Sequence, residues 1–299
     1  MTSSNPNSGV ADDPRMSFVN GEWLPHSSVG IHVEDMGFRQ GVVAVERMRT
    51  YHGVPFEVDQ HFARWKQTTE ILLIDGLPSK ESLRQSIDEL LRRNMSWVQP
   101  QGDVGITLVA TPGSHANQPT LVMHLNSLNH PQIQRRRQTG QPLVVTEVVQ
   151  PDNASWPRGI KTRARIHYYL ADQIARSQYA DAVGVLLDQD GSVTETSIAN
   201  LAICRNDSIV SPPADRVLGG ITQSTIESCA AELGMDWRKV TLRPNDLREA
   251  NEVLLMGTDG GIWFAHSVDG TTIGTGQAGP LYSSLLTRFD ERTRQSEAC

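Results

Sequence analysis

Two adjacent glycines run straight into an amphipathic stretch, and this junction limits the fold more than any other part of the chain. The run is Val217-Leu218-Gly219-Gly220-Ile221-Thr222-Gln223. Ile226, Ala230 and Leu233 follow at helical spacing, and Gly234 suits a left-handed C-terminal cap, so a helix is predicted over 221–233. The first N–H groups of a helix lack internal partners and sit at the positive end of its dipole. Glycines let an anion approach that backbone, and Thr222 adds a hydroxyl donor. The run matches neither the Walker spacing nor G-x-G-x-x-G, so a phosphate cradle and a plain tight turn both remain open.

Around this junction the pattern alternates strands and helices. Asn20-Gly21 and His52-Gly53 are type I′ hairpin signals. Asp59 is expected to cap a helix that turns Phe62, Trp65 and Leu72 to the core, and Pro78-Ser79 opens a second with Leu83, Ile87, Leu90 and Leu91. Strands are predicted over 104–110 and 120–125. Residues 126–141, with Asn129-His130-Pro131 and Arg135-Arg136-Arg137, lack an apolar face and read as a linker. The arginine run suits a phosphate patch or a solvated linker. A strand over 142–149 restarts the pattern, followed by a helix over 167–177. Two hairpin-like units come next, turning at Asp190-Gly191 and at Asn206-Asp207. The reading is an α/β chain: a tail over 1–15, a small α+β domain over 16–125, the linker, and a larger domain over 142–299. Two domains also suit 299 residues.

Charge and cysteine usage narrow the function. Lys and Arg number 27 against 34 Asp and Glu, a net charge of −7, which argues against nucleic-acid or anionic-membrane binding. No apolar run approaches the ~18 residues of a membrane span. Three scattered cysteines (Cys204, Cys229, Cys299) without C-x-x-C suggest no disulfide framework and no metal site, and a cytoplasmic setting.

Four features carry possible chemistry. The glycine junction is the first. Gly257-Thr258-Asp259-Gly260-Gly261, after an apolar strand, is a second place where backbone donors could face an oxyanion. Lys161, in Gly159-Ile160-Lys161-Thr162-Arg163-Ala164-Arg165, has cationic neighbours (Arg158, Arg163, Arg165) that lower an amine's pKa and favour attack on a carbonyl, although most lysines simply face solvent. Glu195 ends a hairpin strand, where a solvent-facing carboxylate is the ordinary outcome. A lysine, a carboxylate and two anion-type loops in one domain are what a phosphorylated pyridine aldehyde needs.

On these residues the chain resembles the class IV (fold type IV) pyridoxal-phosphate aminotransferases, a family that includes branched-chain aminotransferase, D-amino-acid aminotransferase and aminodeoxychorismate lyase. The likeness runs from about Phe18 to Phe289. It is carried by Val19-Asn20-Gly21-Glu22-Trp23, Glu34-Asp35-Met36-Gly37-Phe38, Val45-Glu46-Arg47-Met48-Arg49, Asp59-Gln60-His61-Phe62-Ala63-Arg64-Trp65, Ile160-Lys161, Asp190-Gly191-Ser192-Val193-Thr194-Glu195, Leu218-Gly219-Gly220-Ile221-Thr222, Ala250-Asn251-Glu252-Val253 and Val268-Asp269-Gly270. The resemblance implies a pseudobarrel second domain, pyridoxal 5′-phosphate (PLP) between the domains, a homodimer, and amino acid and 2-keto acid substrates. It implies that Lys161 links to the cofactor aldehyde, Glu195 pairs with the pyridine nitrogen, and Arg64 grips the phosphate. Leu218 packs on the ring, while Ile221, Thr222 and Thr258 supply donors. The reading is aminotransferase, with a lyase of the 4-amino-4-deoxychorismate type as the alternative.

Some departures fall in the shared motifs, with Gln40 in place of a tyrosine and Thr196 in place of the glycine after the glutamate, and others on substrate recognition. Ile166 stands where branched-chain enzymes carry a tyrosine, Thr107 where they carry a strand arginine, and Gln223 where an arginine usually follows Gly-Ile-Thr. The Arg-x-His pair of D-amino-acid enzymes has no clear counterpart in Gly113-Ser114-His115-Ala116-Asn117. Lys161, Arg163, Arg165 and His167 alternate, so an extended segment would place all four on one face. Arg165 is the first candidate partner of the substrate carboxylate, with Arg49 second and the backbone around Asp259 third; the plain alternative is that these arginines bind water, acidic residues or a partner subunit.

Overall fold

The structure, a computed structural model, describes residues 13–115, 118–205 and 208–295. Residues 1–12 of the expected tail, Cys299, part of the 113–117 segment and the expected turn at Asn206-Asp207 lie outside these. Two sheets organise the described residues. The first contains β1 (Met16–Val19), β2 (Glu22–Pro25), β3 (Ala44–Tyr51), β4 (Val54–Pro55), β5 (Val104–Thr111) and β6 (Thr120–Ser127), in the antiparallel order β2-β1-β6-β5-β3-β4. Both hairpin signals hold. Asn20 and Gly21 have φ of 48° and 96°, and His52 and Gly53 have 53° and 80°, the paired positive values a type I′ turn requires.

The helices Val58–Ile71 and Lys80–Arg93 cover this sheet. Phe62, Trp65, Leu83, Ile87 and Leu90 pack on Ile106, Leu108, Met123 and Leu125. Ser79 caps the second helix, its side chain accepting from Ser82 N. The expected cap at Asp59 is not formed: Glu57, at φ 51°, is the N-cap, and Asp59 lies in the first turn and pairs with Lys80 and Arg84. Lys80 and Arg84 lie on the next helix, and they draw the carboxylate outward.

The segment read as linker contains a helix, His130–Thr139, capped by Asn129, whose side chain accepts from Gln132 N. It buries no whole residue, in keeping with its missing apolar face. Helical rotation nevertheless sends the three arginines in different directions. Arg135 pairs with exposed Asp181, Arg137 reaches Asp290 and the carbonyl of Gly260, and Arg136 lies over the Trp263 ring.

The second sheet contains β7 (Gln141–Val149), β8 (Val183–Leu187), β9 (Val193–Thr196), β10 (Asn200–Arg205), β11 (Ser208–Ser211), β12 (Asp236–Lys239), β13 (Glu252–Gly257), β14 (Gly261–Val268) and β15 (Thr271–Thr272). Its order is β12-β11-β10-β13-β14-β7-β8-β9, with β15 on β14. β9 ends that path, yet the chain passes from β9 to β10 through residues 197–199 alone, and Thr196 N donates to Ala199 O. The sheet must therefore curl until its last strand meets its third, which yields a barrel-like arc. The helix Ile221–Glu232 packs Ile226, Cys229 and Ala230 against it, whereas Leu233, expected on the same face, is exposed at the helix end beside Gly234 (φ 70°).

Candidate active site

Between the two sheets lies a cavity of about 500 Å³, and Lys161 forms part of its wall, with its amine enclosed by protein. One isolated bridge ties its segment to β3. Val45 N donates to Lys161 O at 2.9 Å, Arg163 N donates to Val43 O at 3.1 Å, and Ala44 bridges Thr162. Lys161 N also donates to Thr68 Oγ1 at 3.1 Å. The extended geometry puts Lys161, Arg163 and Arg165 on one cavity, as alternation predicts. The helix starting at Ile166 then turns His167 away, toward the rings of Trp156 and Tyr168.

Burial lowers the Lys161 amine, Arg64 and Arg165 lower it further, and it reaches about 8 from 10.5. Arg158 plays no part in this. It is drawn off by Asp188, at 2.7 Å.

Glu195 closes the other side, buried rather than solvent-facing. Oε1 accepts from Tyr168 Oη at 2.6 Å and Gln150 Nε2 at 3.2 Å, and Oε2 from Asn200 Nδ2 at 3.1 Å and Leu218 N at 3.2 Å. Burial raises its pKa, opposed by the Tyr168 hydroxyl, the Leu218 amide and the Lys161 and Arg165 charges.

The glycine junction supports this arrangement. Asn200 Nδ2 also donates to Leu218 O at 2.9 Å, and a Cβ on Gly220 would stand 1.9 Å from Asn200 Oδ1. Gly220 is thus required by close approach. A Cβ on Gly219 would meet nothing, and its carbonyl accepts from Arg64 Nη1 at 2.8 Å.

Arg64 is fixed by a residue the sequence reading did not assign a role, Glu46. Arg64 Nε donates to Glu46 Oε2 at 2.9 Å and Nη2 to Oε1 at 2.6 Å, while His61 Nδ1 lies 2.9 Å from Oε1. His61 and Arg64 share a helix face, as their spacing of three predicts. Burial opposes the Glu46 charge, but Arg64 and His61 together hold its pKa far below the usual carboxylate range. Three of the five guanidinium N–H groups of Arg64 are used in these bonds, which leaves two for a ligand. The available signal was its position one residue before Arg47, three before Arg49, on a strand whose other residues are mostly buried.

The third wall is the 257–261 turn. Asp259 holds Arg47 by two bonds, Nε to Oδ1 at 2.9 Å and Nη2 to Oδ2 at 3.0 Å. Arg47 Nη1 also donates to Thr107 Oγ1 at 2.9 Å and to Asn126 Oδ1. Arg47 and Thr107 are direct partners across β3 and β5. The Arg47 guanidinium therefore lies beside Thr107, held between Asp259 and Asn126. Arg49 is placed outside the cavity. It is buried behind the turn, donating to Thr50 O and Asp259 O, stacked on Tyr51 and 3.6 Å from Asp103. Alternation along β3 does not separate residue 47 from residue 49; the turn at Asp259 does, by taking the Arg47 guanidinium on its carboxylate and the Arg49 guanidinium on its carbonyl. Arg165 stays in the cavity, 4.2 Å from the Tyr168 ring centroid and donating to Ser197 O. Leu218, Ile221, Thr222 and Thr258 line the cavity too. Among the described residues no His, Cys, Asp and Glu group could hold a metal, and no helix is long and apolar enough to cross a membrane.

The family of class IV amino-transferases has a sequence model that matches residues 43–268. The chain is 27% identical over 274 residues to a D-alanine aminotransferase of Bacillus licheniformis, covering 90% of this chain and 93% of that protein. It is 26% identical over 230 residues to an aminodeoxychorismate lyase of Bacillus subtilis (strain 168), covering 74% and 75%. Its fold superposes on a T.th. branched-chain amino acid aminotransferase complexed with N-(5′-phosphopyridoxyl)-L-glutamate, with TM-score 0.86, 23% identity and 96% of each chain covered. The chain belongs to the class IV aminotransferases, and the enzyme depends on PLP. The donor set suits that cofactor: an enclosed amine of lowered pKa for the aldehyde, a buried carboxylate across the cavity for the pyridine nitrogen, and Arg64, with two N–H groups left, beside the helix start at Ile221 for the phosphate.

Proposed function

We propose that this aminotransferase exchanges an amino group between an amino acid and a 2-keto acid, with Lys161 as its catalytic base. The observation that carries the reading is the Lys161 amine, enclosed on the same cavity as Glu195 with its pKa brought down toward physiological pH. Bound PLP supplies a protonated pyridine ring that draws electrons from the substrate α-carbon. Lys161 Nζ would hold the cofactor through its aldehyde and, once released, would be the base placed to move a proton between the substrate α-carbon and the former aldehyde carbon. Glu195 keeps the pyridine nitrogen protonated, and its four donors keep its own carboxylate in place. Arg64, fixed by Glu46 and Gly219, holds the phosphate together with the N–H groups and hydroxyl of Ile221, Thr222 and Thr258. Leu218 packs on the ring. Arg165 binds the substrate α-carboxylate, and the turn at Asp259 borders it.

The same reading includes a homodimer and a cytoplasmic setting. The helix Ile166–Gln178 bares Ile166, Tyr169, Leu170 and Ile174 on one face, which suits burial against a second copy. Cys204 and Cys229 are buried free thiols, as a reducing compartment allows. The test is a panel of L- and D-amino donors offered to the holoenzyme in single turnover, followed by the loss of the bound-cofactor absorption. At least one donor should convert it and release the matching keto acid. Conversion by none overturns the reading.

A further inference from the structure

We propose that Tyr168 is a positioning residue that serves both halves of the site: its hydroxyl keeps the Glu195 carboxylate charged for the cofactor ring, and its aromatic ring holds the Arg165 guanidinium for the substrate α-carboxylate. This rests on the aminotransferase reading and adds a residue to which no sequence motif gave a role. Local geometry brings Tyr168 to both partners. Arg165 is the N-cap of the helix Ile166–Gln178, and Tyr168 follows it by three residues, one turn on. The end of β9 accepts from the pair. Tyr168 Oη donates to Glu195 Oε1 at 2.6 Å, and Arg165 donates to Ser197 O.

The hydroxyl contact differs from the other three on Glu195, which come from Gln150, Asn200 and the Leu218 amide at 3.1 or 3.2 Å. Gln150 Nε2 also donates to Tyr168 Oη at 3.1 Å, so the oxygen accepts there and commits its one proton to Glu195. A length of 2.6 Å is that of a charge-assisted O–H···O⁻ bond. Burial pushes the Glu195 carboxyl up, and the Tyr168 hydroxyl is foremost among the groups that hold it down. Burial and the Glu195 charge raise the phenol well above its ordinary value, so it remains a donor. Without that hydroxyl, burial acts with less opposition, and a proton shared with the ring nitrogen moves toward Glu195. The aromatic ring acts on the other partner. The Arg165 guanidinium carbon lies 4.2 Å from its centroid, within cation–π range. The His167 ring lies 4.2 Å away too, but burial and the Arg165 charge bring its pKa down to about 4, so Arg165 is the cation the ring holds at neutral pH. With the Ser197 carbonyl, this contact fixes a long side chain that would otherwise sample many rotamers.

The experiment compares Tyr168→Phe, which loses only the hydroxyl, with Tyr168→Leu, which loses the ring as well; Tyr168→Met replaces the Leu variant if that one fails to retain cofactor. Two readouts need no turnover: the ¹⁵N NMR signal of holoenzyme carrying PLP labelled at the ring nitrogen, and the affinity for pentanoate, a monocarboxylate without an amine, by calorimetry. The wild-type nitrogen should be protonated at pH 7.5, and both variants should lose at least about half of that protonated signal. The Phe variant should keep wild-type pentanoate affinity, whereas the Leu variant should weaken it ~5-fold, as loss of a cation–π contact implies. In an Arg165→Leu background neither substitution should weaken pentanoate further. An unchanged nitrogen signal in the Phe variant overturns the role of the hydroxyl. Equal weakening of pentanoate by Phe and Leu, or equal affinity in wild type and Arg165→Leu, overturns the role of the ring. Donor turnover separates this proposal from the reading beneath it. Wild-type enzyme that converts no donor sinks aminotransfer, while the two readouts still decide Tyr168. Donors converted normally by a Phe variant with an unchanged nitrogen signal sink the proposal and leave aminotransfer standing.

Discussion

The two ends of the cavity are built differently. At the cofactor end, the carboxylates of Glu46 and Glu195 accept from Arg64 or from Tyr168, Asn200 and Leu218, and His61 closes the Glu46 set. At the outer end, Arg136 lies over the Trp263 ring and Arg163 feels the like charges of Arg165 and Arg47, with no carboxylate at ion-pair distance from either among the described residues. The closed end is organised before any ligand arrives, which limits the reorganisation that catalysis would otherwise need. The open end has no such pairing around Arg136 and Arg163 among the described residues. The difference teaches that affinity for cofactor and choice of substrate are separable here, and substitutions should separate them.

Lys161→Ala should break the closed end most severely. Transamination should fall by ~10⁴-fold, the upper range for losing a general acid–base group, and borohydride should no longer trap cofactor on the chain. Trapping on another lysine would refute the assignment. Glu46→Ala leaves Arg64 and His61 buried around a missing charge. Removing one member of a buried pair costs about 3–5 kcal/mol, so urea unfolding should show a loss of that size together with weaker PLP retention. Glu195→Gln should keep the cofactor bound but slow single-turnover transfer by ~10²–10³-fold, since a neutral amide cannot hold the ring nitrogen protonated. Near-normal rates would show that Glu195 does not serve the ring.

Smaller effects probe the open end and the amine. Arg165→Leu should raise the dissociation constant of amino donors by about tenfold or more and leave the cofactor absorption band unchanged. If it binds donors normally, the carboxylate is held elsewhere, with the backbone of the 257–261 turn the next place to test. Finally, with the Lys161 pKa at about 8, protonation below that value ties up the nucleophile. Reconstitution of apoenzyme with PLP should quicken by about fivefold between pH 7 and pH 8 and level off above pH 9. A flat profile would mean that the amine is not the group that limits attachment.

The part of this protein legible in the sequence is the part governed by local rules. Asn20-Gly21 and His52-Gly53 specify type I′ turns because few other residue pairs adopt positive φ twice in succession. Gly219-Gly220 before an amphipathic stretch specifies a helix start that can meet an anion, and Lys161, Glu195 and Arg64 stand in motifs that mark the class IV family. The rest depended on contacts between distant segments. Arg49 looked like a substrate ligand and Arg47 did not, because their surroundings are set by the pairing of β3 with β5 and by the turn at Asp259. Arg136 could not be told from Arg135 and Arg137 by composition, since only the docking of a helix with no apolar face decides which of its residues meets Trp263. Glu46 gave no local sign of its partners among the charges of its strand, and its pairing with Arg64 and His61 exists only where that strand and the Val58–Ile71 helix pack together. Backbone conformation is a short-range property that neighbouring residues can encode. Burial and electrostatic partnership are long-range, and folding alone assigned them.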